Sequence, residues 1–270
     1  MNWHLVTALL ALGSATGFAA GLLGVGGGML LVPFLTMLFT AKHVPLEHVV
    51  HMAIATSLAT ILFTSLSSVR AHDQRGAVLW QVVKFLAPGI LLGSLLGAQI
   101  AGRLPTAWIA LLFAVFVGVS ATRMIFDRKP KPERELPAAP GMFGMGGAIG
   151  FVSSLVGAGG AFISIPFMVR CNVKMHNAVA TSAALGFPIA AAGTVGYVVS
   201  GWSTPNLPPG SLGFIYVPAL VAVAAASVLT APLGARVAHA LNTRRLKRIF
   251  AGLLYLLAGY MLWKSYRAWA

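Results

Sequence analysis

Acidic side chains, and charge of either sign, are scarce in this sequence. Only 9% of its 270 residues are charged, whereas soluble proteins carry roughly 25%, and a chain so poor in charge cannot cover a water-facing surface. All five acidic residues fall in predicted loops or in a polar linker, which excludes a cation pump or proton relay built on intramembrane carboxylates. The five are Glu47, Asp73, Asp127, Glu133 and Glu135.

Cysteine is nearly absent too, since Cys171 is the only one. A single cysteine rules out an intrachain disulfide and a cysteine-based metal cluster, and the seven histidines form no metal-ligand pattern with a carboxylate. The formal net charge is +14, but the basic residues are dispersed and form no solvated stripe of the kind that binds nucleic acid. We therefore predict no cofactor, no metal and no nucleic-acid partner.

Long apolar runs, by contrast, are abundant. Hydrophobic residues make up 58% of the chain, and runs of about 20 residues, enough to cross a hydrocarbon core of roughly 30 Å, recur along its whole length. The sequence predicts an all-α, multi-pass integral membrane protein in the lipid bilayer, without a soluble domain of appreciable size. For its location we predict a bacterial-type inner (plasma) membrane.

The chain contains an internal repeat. Residues 17–35 align without gaps to residues 150–168, with 8 identities in 19 positions. Two further pairs of segments match in the same order, HMAIATS with HNAVATS at five of seven positions and LGAQIAGRLPT with LGARVAHALNT at six of eleven. These blocks indicate a duplicated unit, with a first transmembrane repeat at 1–126 and a second at 141–270. The charges and four prolines of 127–140 predict a cytoplasmic linker.

Each repeat is predicted to open with a Gly-interrupted element and to continue with three long apolar helices, about eight transmembrane segments in all. The elements are predicted at 4–40, 48–69, 78–101 and 107–126, and at 141–170, 177–199, 214–238 and 248–264. As a helix, 141–156 would be about 24 Å long and 161–170 about 15 Å, so neither arm comfortably crosses the bilayer. The opening elements are therefore predicted as re-entrant helical hairpins. In the first repeat the longer arm, 4–23, leaves a full crossing open as the alternative.

The distribution of basic residues predicts how the two repeats are oriented. With a hairpin in each repeat and the linker inside, the loops near 70–76, 123–135, 170–176 and 236–248 lie inside and hold 14 of the 19 Lys and Arg residues. This arrangement follows the positive-inside rule, whereas a single crossing in each opening element would place the cluster at 244–248 outside. The two repeats are then inverted relative to each other, as in secondary transporters that bind substrate near the membrane midplane.

The Gly-rich breaks at 21–28 and 156–160 are the first candidate site. Each precedes a short helix whose first N–H groups lack an intrahelical acceptor and whose dipole attracts an anion. Two such helix starts, related by inversion, would face a common point and bind a small anionic substrate. The alternative is that these glycines only permit close helix packing. The candidate binding residues are Gly26, Gly27, Gly28, Gly159, Gly160 and Ala161.

The second candidate is a pair of Ala-Thr-Ser triplets, each about two turns into the helix that follows a hairpin. Their hydroxyls could donate to an anion without adding charge, although Ser and Thr hydroxyls often bond back to their own helix. The candidate residues are Thr56, Ser57, Thr181 and Ser182. His51 and His176 also occupy equivalent positions, where they either titrate and couple transport to protons or remain passive at the membrane interface.

Together these motifs resemble the sulfite exporter TauE/SafE family of membrane permeases. The resemblance rests on the duplicated Gly-rich hairpin with Pro33 and Pro166, on the A-x-A-T-S helix and on the closing L-G-A-x-x-A segment, and it covers essentially the whole chain. It implies passage of sulfite, sulfonates or related organosulfur anions. The second copy departs from the first by carrying Ala161 where the first has Gly28 and by a turn eight residues shorter after the proline.

We predict a membrane permease for small anions, foremost sulfite, sulfonates or related organosulfur oxyanions, and not an enzyme. An inside-negative potential contributes about 2.3 kcal/mol per charge per 100 mV toward anion exit, so export needs no ATP. The alternatives are a permease for another small organic or inorganic anion, a non-transporting sensor, and an intramembrane enzyme, for which we find no nucleophile with a base at membrane depth. The sequence leaves open whether the chain forms a homo-oligomer.

Overall fold

The structure is a helical bundle, described by a computed structural model for residues 3–23, 27–74, 76–126, 134–238 and 243–269. Within these ranges the regular structure consists of ten α-helices and one antiparallel β-hairpin. The first half contains α1 (Trp3–Leu23), α2 (Gly28–Ala41), α3 (Leu46–Asp73), α4 (Trp80–Ala101) and α5 (Thr106–Phe126). The second half contains α6 (Ala139–Val156), α7 (Ala161–Arg170), α8 (Met175–Gly201), β1 (Ser211–Leu212), β2 (Ile215–Tyr216), α9 (Val217–Ala238) and α10 (Thr243–Trp269).

Several of these helices suit a lipid environment. By length and composition, α3, α4, α5, α6 and α8 are each able to cross a membrane, and shorter apolar stretches lie in α1, α2, α7 and α9. Many large apolar side chains on the outer surface are exposed, among them Leu229 and Leu256 at 74% each, as expected where lipid rather than water surrounds the bundle. The prediction of an all-α membrane protein is confirmed.

The first arm of the second opening element is longer than the sequence predicted. α6 begins at Ala139, inside the segment 127–140 that was predicted as linker. Pro140 stands in the first turn, where a missing N–H costs no hydrogen bond and the fixed φ favours the helix. The resulting 18 residues are enough to cross a membrane, although this arm was predicted to be too short. Residues 127–133 lie outside the described part of the chain.

A β-hairpin occupies the end of the uncharged segment that was predicted as a loop before α9. Ser211 pairs with Tyr216, and Leu212 pairs with Ile215. Phe214 lies at the turn and is buried together with Ile215 and Tyr216. The apolar side chains of the hairpin therefore pack against the helical bundle. α9 consequently begins at Val217 rather than at 214. Strands of two residues are too short to show an alternating pattern, which is why the sequence did not reveal them.

Close helix pairs depend on glycines at equivalent positions of the two copies. α1 packs along α9 and α6 packs along α4. A Cβ at Gly13 would lie 2.7 Å from the Val223 carbonyl oxygen, and one at Gly150 would lie 2.8 Å from Ser94 Oγ. Small residues allow helix backbones to approach in this way inside a membrane. In α1 and α6, the glycines that repeat at a spacing of 133 residues are Gly13 and Gly146, and Gly17 and Gly150.

Equivalent helices of the two copies run in opposite directions where they meet. Along the contact of α3 with α8, Leu58 lies against Gly193, and one to two turns further along α3, Ser65 lies against Gly186. The partner number falls as the first number rises, so the two helices are antiparallel. The pair α5 and α10 behaves in the same way, since α5 is contacted near its start by Ser265 and near its end by Tyr255.

Contacts between connecting segments define the two ends of the bundle. At what we call the linker end, the Arg134 N–H donates to the Arg170 carbonyl at 3.2 Å, and Asn177 Nδ2 donates to the Ala77 carbonyl at 2.9 Å. The first of these bonds joins the chain entering α6 to the chain leaving α7, so these two helices form a hairpin. At the opposite end, buried Lys264 of α10 donates from Nζ to Thr40 Oγ1 of α2 at 2.9 Å.

Candidate functional site

The two Gly-rich breaks meet inside the bundle. Gly28, the first residue of α2, lies against the backbone of the second break, where a Cβ would collide with the Gly157 carbonyl oxygen and lie 3.3 Å from Ala158 Cα. The same Cβ would lie 2.9 Å from Ile61 Cδ1 of α3. Segments about 130 residues apart in sequence are thus in backbone contact. Gly27 is the N-cap of α2, while the predicted Gly26 lies outside the described residues.

The second break has the backbone form that glycine permits. Gly157 and Gly160 have φ of +65° and +76°, in the left-handed region that side chains disfavour. Gly160 is the N-cap of α7, and its carbonyl accepts the N–H groups of Ile163 and Ser164 at 3.0 and 2.9 Å. The N–H groups of the preceding residues, beginning with Ala161, have no acceptor within the helix. The start of α7 therefore presents donors and the positive end of the helix dipole.

Gly159, between these two positions, is buried but loosely surrounded. Among the described residues, only Ile61 Cγ2, at 3.8 Å, comes within 4 Å of the place a Cβ would occupy. Gly186 of α8 faces the same region. A Cβ at Gly186 would lie 3.8 Å from the Gly159 carbonyl oxygen and 3.6 Å from Ser65 Cβ. The sequence did not single out Ile61, Ser65 or Gly186, because their position at the break follows from the crossing of α3 and α8.

The two candidate threonines make matching hydrogen bonds across the two halves. Thr56 Oγ1 accepts the Tyr216 N–H at 3.1 Å, and Thr181 Oγ1 accepts the Leu79 N–H at 3.0 Å. Each acceptor is fully buried, and each donor stands immediately before the helix, α9 or α4, that continues the other half. Both hydroxyls keep their own proton for a second partner. The two threonines therefore fix the backbone of the segments that precede α4 and α9.

The two candidate serines differ from each other. Ser57 Oγ donates to the Gly157 carbonyl at 3.1 Å, and so ties α3 to the second break. Ser182 Oγ pairs instead with Ser164 Oγ of α7 at 2.7 Å, within the second half. All three side chains are at most 2% exposed. Ser57 thus contacts the second Gly-rich break directly, and Ser182 contacts the helix that follows this break.

His51 and His176 occupy equivalent sequence positions but very different surroundings. His51 is 3% exposed, with Nε2 at 3.1 Å from the Ala101 carbonyl and 3.0 Å from the Leu104 carbonyl. Its ring stacks on Phe214 at a centroid distance of 5.2 Å. It thereby fastens α3 to the turn between α4 and α5. His176, by contrast, is exposed at the start of α8. The two histidines therefore match in sequence position but not in burial.

A cavity of about 550 Å³ opens at the end of the bundle opposite the linker. Arg103 and Arg267 line it, together with His48 and His51, and the one acidic group in its lining, Glu47, lies 3.3 Å from His48 Nε2. None of its lining residues belongs to a Gly-rich break. The cavity carries a positive balance at a bundle end and would attract anions from solution.

Comparison with known proteins identifies the family of the chain. The profile of the family described as sulfite exporter TauE/SafE matches residues 9–261. The chain belongs to the sulfite exporter TauE/SafE family. It is therefore a member of a family of membrane transporters, as the sequence predicted.

Individual relatives extend across most of the chain. A probable membrane transporter protein of Haemophilus influenzae is 36% identical over 94% of this chain and 97% of its own length. A probable membrane transporter protein of Bacillus subtilis is 30% identical over 69% of this chain and 76% of its own. One of Methanocaldococcus jannaschii is 24% identical over 96% of both. No solved structure matches the chain.

Proposed function

We propose that this protein is a permease for small oxyanions, foremost sulfite, sulfonates or related organosulfur anions, and that the anion binds where the two Gly-rich breaks meet. The observation that carries the proposal is the contact of Gly28 with the backbone of Gly157 and Ala158. It brings the starts of α2 and α7 to one buried region. The candidate binding residues there are Gly26, Gly27, Gly28, Thr56, Ser57, Gly159, Gly160, Ala161, Thr181 and Ser182.

The chemistry of this region suits an anion that has shed its water. Helix starts supply N–H donors, the hydroxyls of Thr56 and Thr181 each keep a proton for a further partner, and helix dipoles favour negative charge. The acidic residues of the described part, Glu47, Asp73 and Glu135, lie at helix ends or beside the linker rather than at the breaks. Neutral donors bind an anion without the strong attraction of a buried cation, so the anion can also leave.

We further propose that the protein consists of two inverted repeats, 1–126 and 141–270, in an inner (plasma) membrane with the linker 127–140 on the cytoplasmic side. The antiparallel contacts of α3 with α8 and of α5 with α10 support this architecture. So does the bond that joins Arg134 to Arg170, because it leaves both ends of the α6–α7 hairpin at one end of the bundle. An inside-negative potential would then drive anion export.

Transport is tested with purified protein in liposomes and an imposed potential. Labelled sulfite and labelled methanesulfonate should show saturable flux that increases when the compartment holding the anion is made negative. Empty liposomes are the control. Saturable flux of only a non-sulfur anion, such as acetate, would replace the proposed substrate, and the absence of flux for every small anion would refute the permease.

The orientation is tested with single cysteines in a Cys171→Ser background. Lys174→Cys, at the linker end, should react with a membrane-impermeant maleimide only from the cytoplasmic side. Arg103→Cys, at the opposite end, should react only from the other side. Both positions are exposed. Labelling of the two cysteines from the same side would contradict the inverted arrangement.

A further inference from the structure

Ser153 of α6 is a buried polar side chain without a hydrogen-bond partner among the residues that the structure describes. It is 0% exposed, and its Oγ makes no hydrogen bond with any of them. It lies one turn before the end of α6, and its Oγ is 3.1 Å from the place a Cβ would occupy at Gly160. Gly160 is the N-cap of α7, a helix of 10 residues. A hydroxyl that has lost its contact with water and found no acceptor is therefore held at the donor-rich start of a helix.

An unpartnered hydroxyl inside a protein is unfavourable, and most buried polar groups find a partner. The other two of the three atoms nearest to the place of a Cβ at Gly160 are Ile189 Cδ1 and Ile149 Cγ2, and neither can accept a hydrogen bond. The neighbouring Ser154, by contrast, donates to the Phe151 carbonyl at 3.0 Å. Ser153 therefore lacks an acceptor while its neighbour has one.

The equivalent region of the first repeat is different. In the ungapped alignment Ser153 corresponds to Ala20, and Ser164 corresponds to Leu31. The start of α2 also already faces an acceptor, because the Gly157 carbonyl lies against Gly28. The start of α7 has hydroxyls around it and the start of α2 has a carbonyl oxygen. Among the described residues, the N-cap of α7 therefore faces a group that can donate to an anion, whereas the start of α2 faces a carbonyl oxygen, which repels one.

We propose that Ser153 is a substrate-binding residue, whose hydroxyl acts with the free N–H groups at the start of α7 to hold the oxygens of a sulfite or sulfonate group. This inference rests on the proposed function and adds to it that the second repeat provides the principal donors for the anion. The oxygen atoms of an –SO₃⁻ group are acceptors only, which matches a site composed of N–H and O–H donors. The buried hydroxyl receives its missing partner when the anion binds.

The test compares Ser153→Ala with Ser94→Ala in the full chain. Ser94 of α4 is a matched control, since it is also 0% exposed and its Oγ also lacks a partner, but its hydroxyl faces Gly150 within the α4–α6 contact rather than Gly160. Binding of sodium sulfite and sodium methanesulfonate to purified protein is measured by calorimetry, and thermal unfolding is recorded with and without each salt. Sodium chloride at equal ionic strength controls for a general salt effect.

For Ser153→Ala we expect about tenfold weaker binding of both anions, as for loss of a hydrogen bond to a charged group. Unfolding of the empty protein should not move to lower temperature, because no protein contact is removed. The upward shift that the anion produces should shrink. Ser94→Ala should bind as the wild type does.

Three results would overturn the inference. One is equal binding by Ser153→Ala and the wild type, and another is an equal loss in both variants. A lower unfolding temperature of empty Ser153→Ala with unchanged binding would assign the serine a structural role and also overturn it. If the wild type itself binds neither anion, the proposed function fails as well, and this outcome is recognised before any variant is made.

Discussion

The two Gly-rich breaks have related sequences but different surroundings. At the first, Gly28 lies against the Gly157 carbonyl of the other half of the chain. At the second, Gly160 lies against the unpartnered hydroxyl of Ser153. The shared glycines let the backbones approach, whereas residues that differ between the copies, such as Ala20 and Ser153, change the side chain that faces each N-cap glycine. Similar frameworks thus carry different local chemistry.

The largest effect is expected where the two breaks touch. Gly28→Val would place a side chain into the Gly157 carbonyl and within 2.9 Å of Ile61 Cδ1. Overpacking of this kind costs about 1–3 kcal/mol, and separating the breaks should lower anion affinity by about tenfold or more. Anion binding and liposome flux measure the change. Gly118→Val is the control, because a Cβ at Gly118 has no neighbour within 4 Å. Full flux in Gly28→Val would show that the contact between the two breaks does not form the site.

The histidine pair gives the next largest difference. In His51→Phe the Ala101 and Leu104 carbonyls lose their shared donor, and leaving buried polar groups unpaired costs about 1–3 kcal/mol. His176→Phe changes an exposed side chain and should stay within about 0.5 kcal/mol. Thermal unfolding of the two variants in the same detergent compares them. Equal stability of the two variants would show that the buried hydrogen bonds of His51 do not stabilise the protein more than the exposed His176 does.

The paired threonines should show a smaller and more local effect. Thr56→Val removes the acceptor of the Tyr216 N–H, and Thr181→Val removes that of the Leu79 N–H, at about 1 kcal/mol each. Tyr216 keeps its edge contact with Phe39 at 5.7 Å, whereas Val78, beside Leu79, packs on small side chains. Hydrogen exchange should therefore rise more at 76–80 in Thr181→Val than at 213–217 in Thr56→Val. The reverse order would contradict this difference between the segments.

The smallest effect concerns the reactivity of the native cysteine at the linker end. Burial raises the pKa of the Cys171 thiol, and the nearby Arg134 charge opposes this only in part. Because the thiolate is the reactive form, maleimide labelling should be slow at neutral pH and should accelerate as the pH rises. The rate is compared with that of Lys174→Cys in a Cys171→Ser background. Equal rates at neutral pH would show that burial does not restrain this thiol.

Much of the fold could be predicted from the pattern of residues. Helix starts and ends were anticipated to within a few residues for α4, α5 and α8, because uninterrupted apolar runs of this length allow no other structure in lipid. The start of α6 was predicted two residues late, since Pro140 was taken as a helix breaker rather than as a first-turn residue. The β-hairpin at 211–216 was missed because its strands have only two residues each.

The candidate site was predictable only in part. The Gly-rich breaks are visible in the sequence because they repeat, and the Ala-Thr-Ser triplets are visible for the same reason. The partners of these residues are not visible. Ser57 bonds to Gly157 at a separation of 100 residues, and Thr56 bonds to Tyr216 at a separation of 160. Ser153 was not predicted either. It became a candidate because its hydroxyl lacks a hydrogen-bond partner among the described residues, and a sequence does not show which hydroxyls have partners.

The sequence by itself determined that the chain is a membrane protein of many apolar helices, and it indicated the repeat and the two Gly-rich breaks, because hydropathy, repetition and glycine content are local properties. Only the tertiary structure decided which helices pair and which hydroxyls are occupied. Among the described residues, it placed the Gly157 carbonyl against the start of α2 and the Ser153 hydroxyl against the N-cap of α7. The physical reason is that hydrogen-bond satisfaction depends on contacts between distant segments, and these exist only once α3, α8 and the two breaks have packed together.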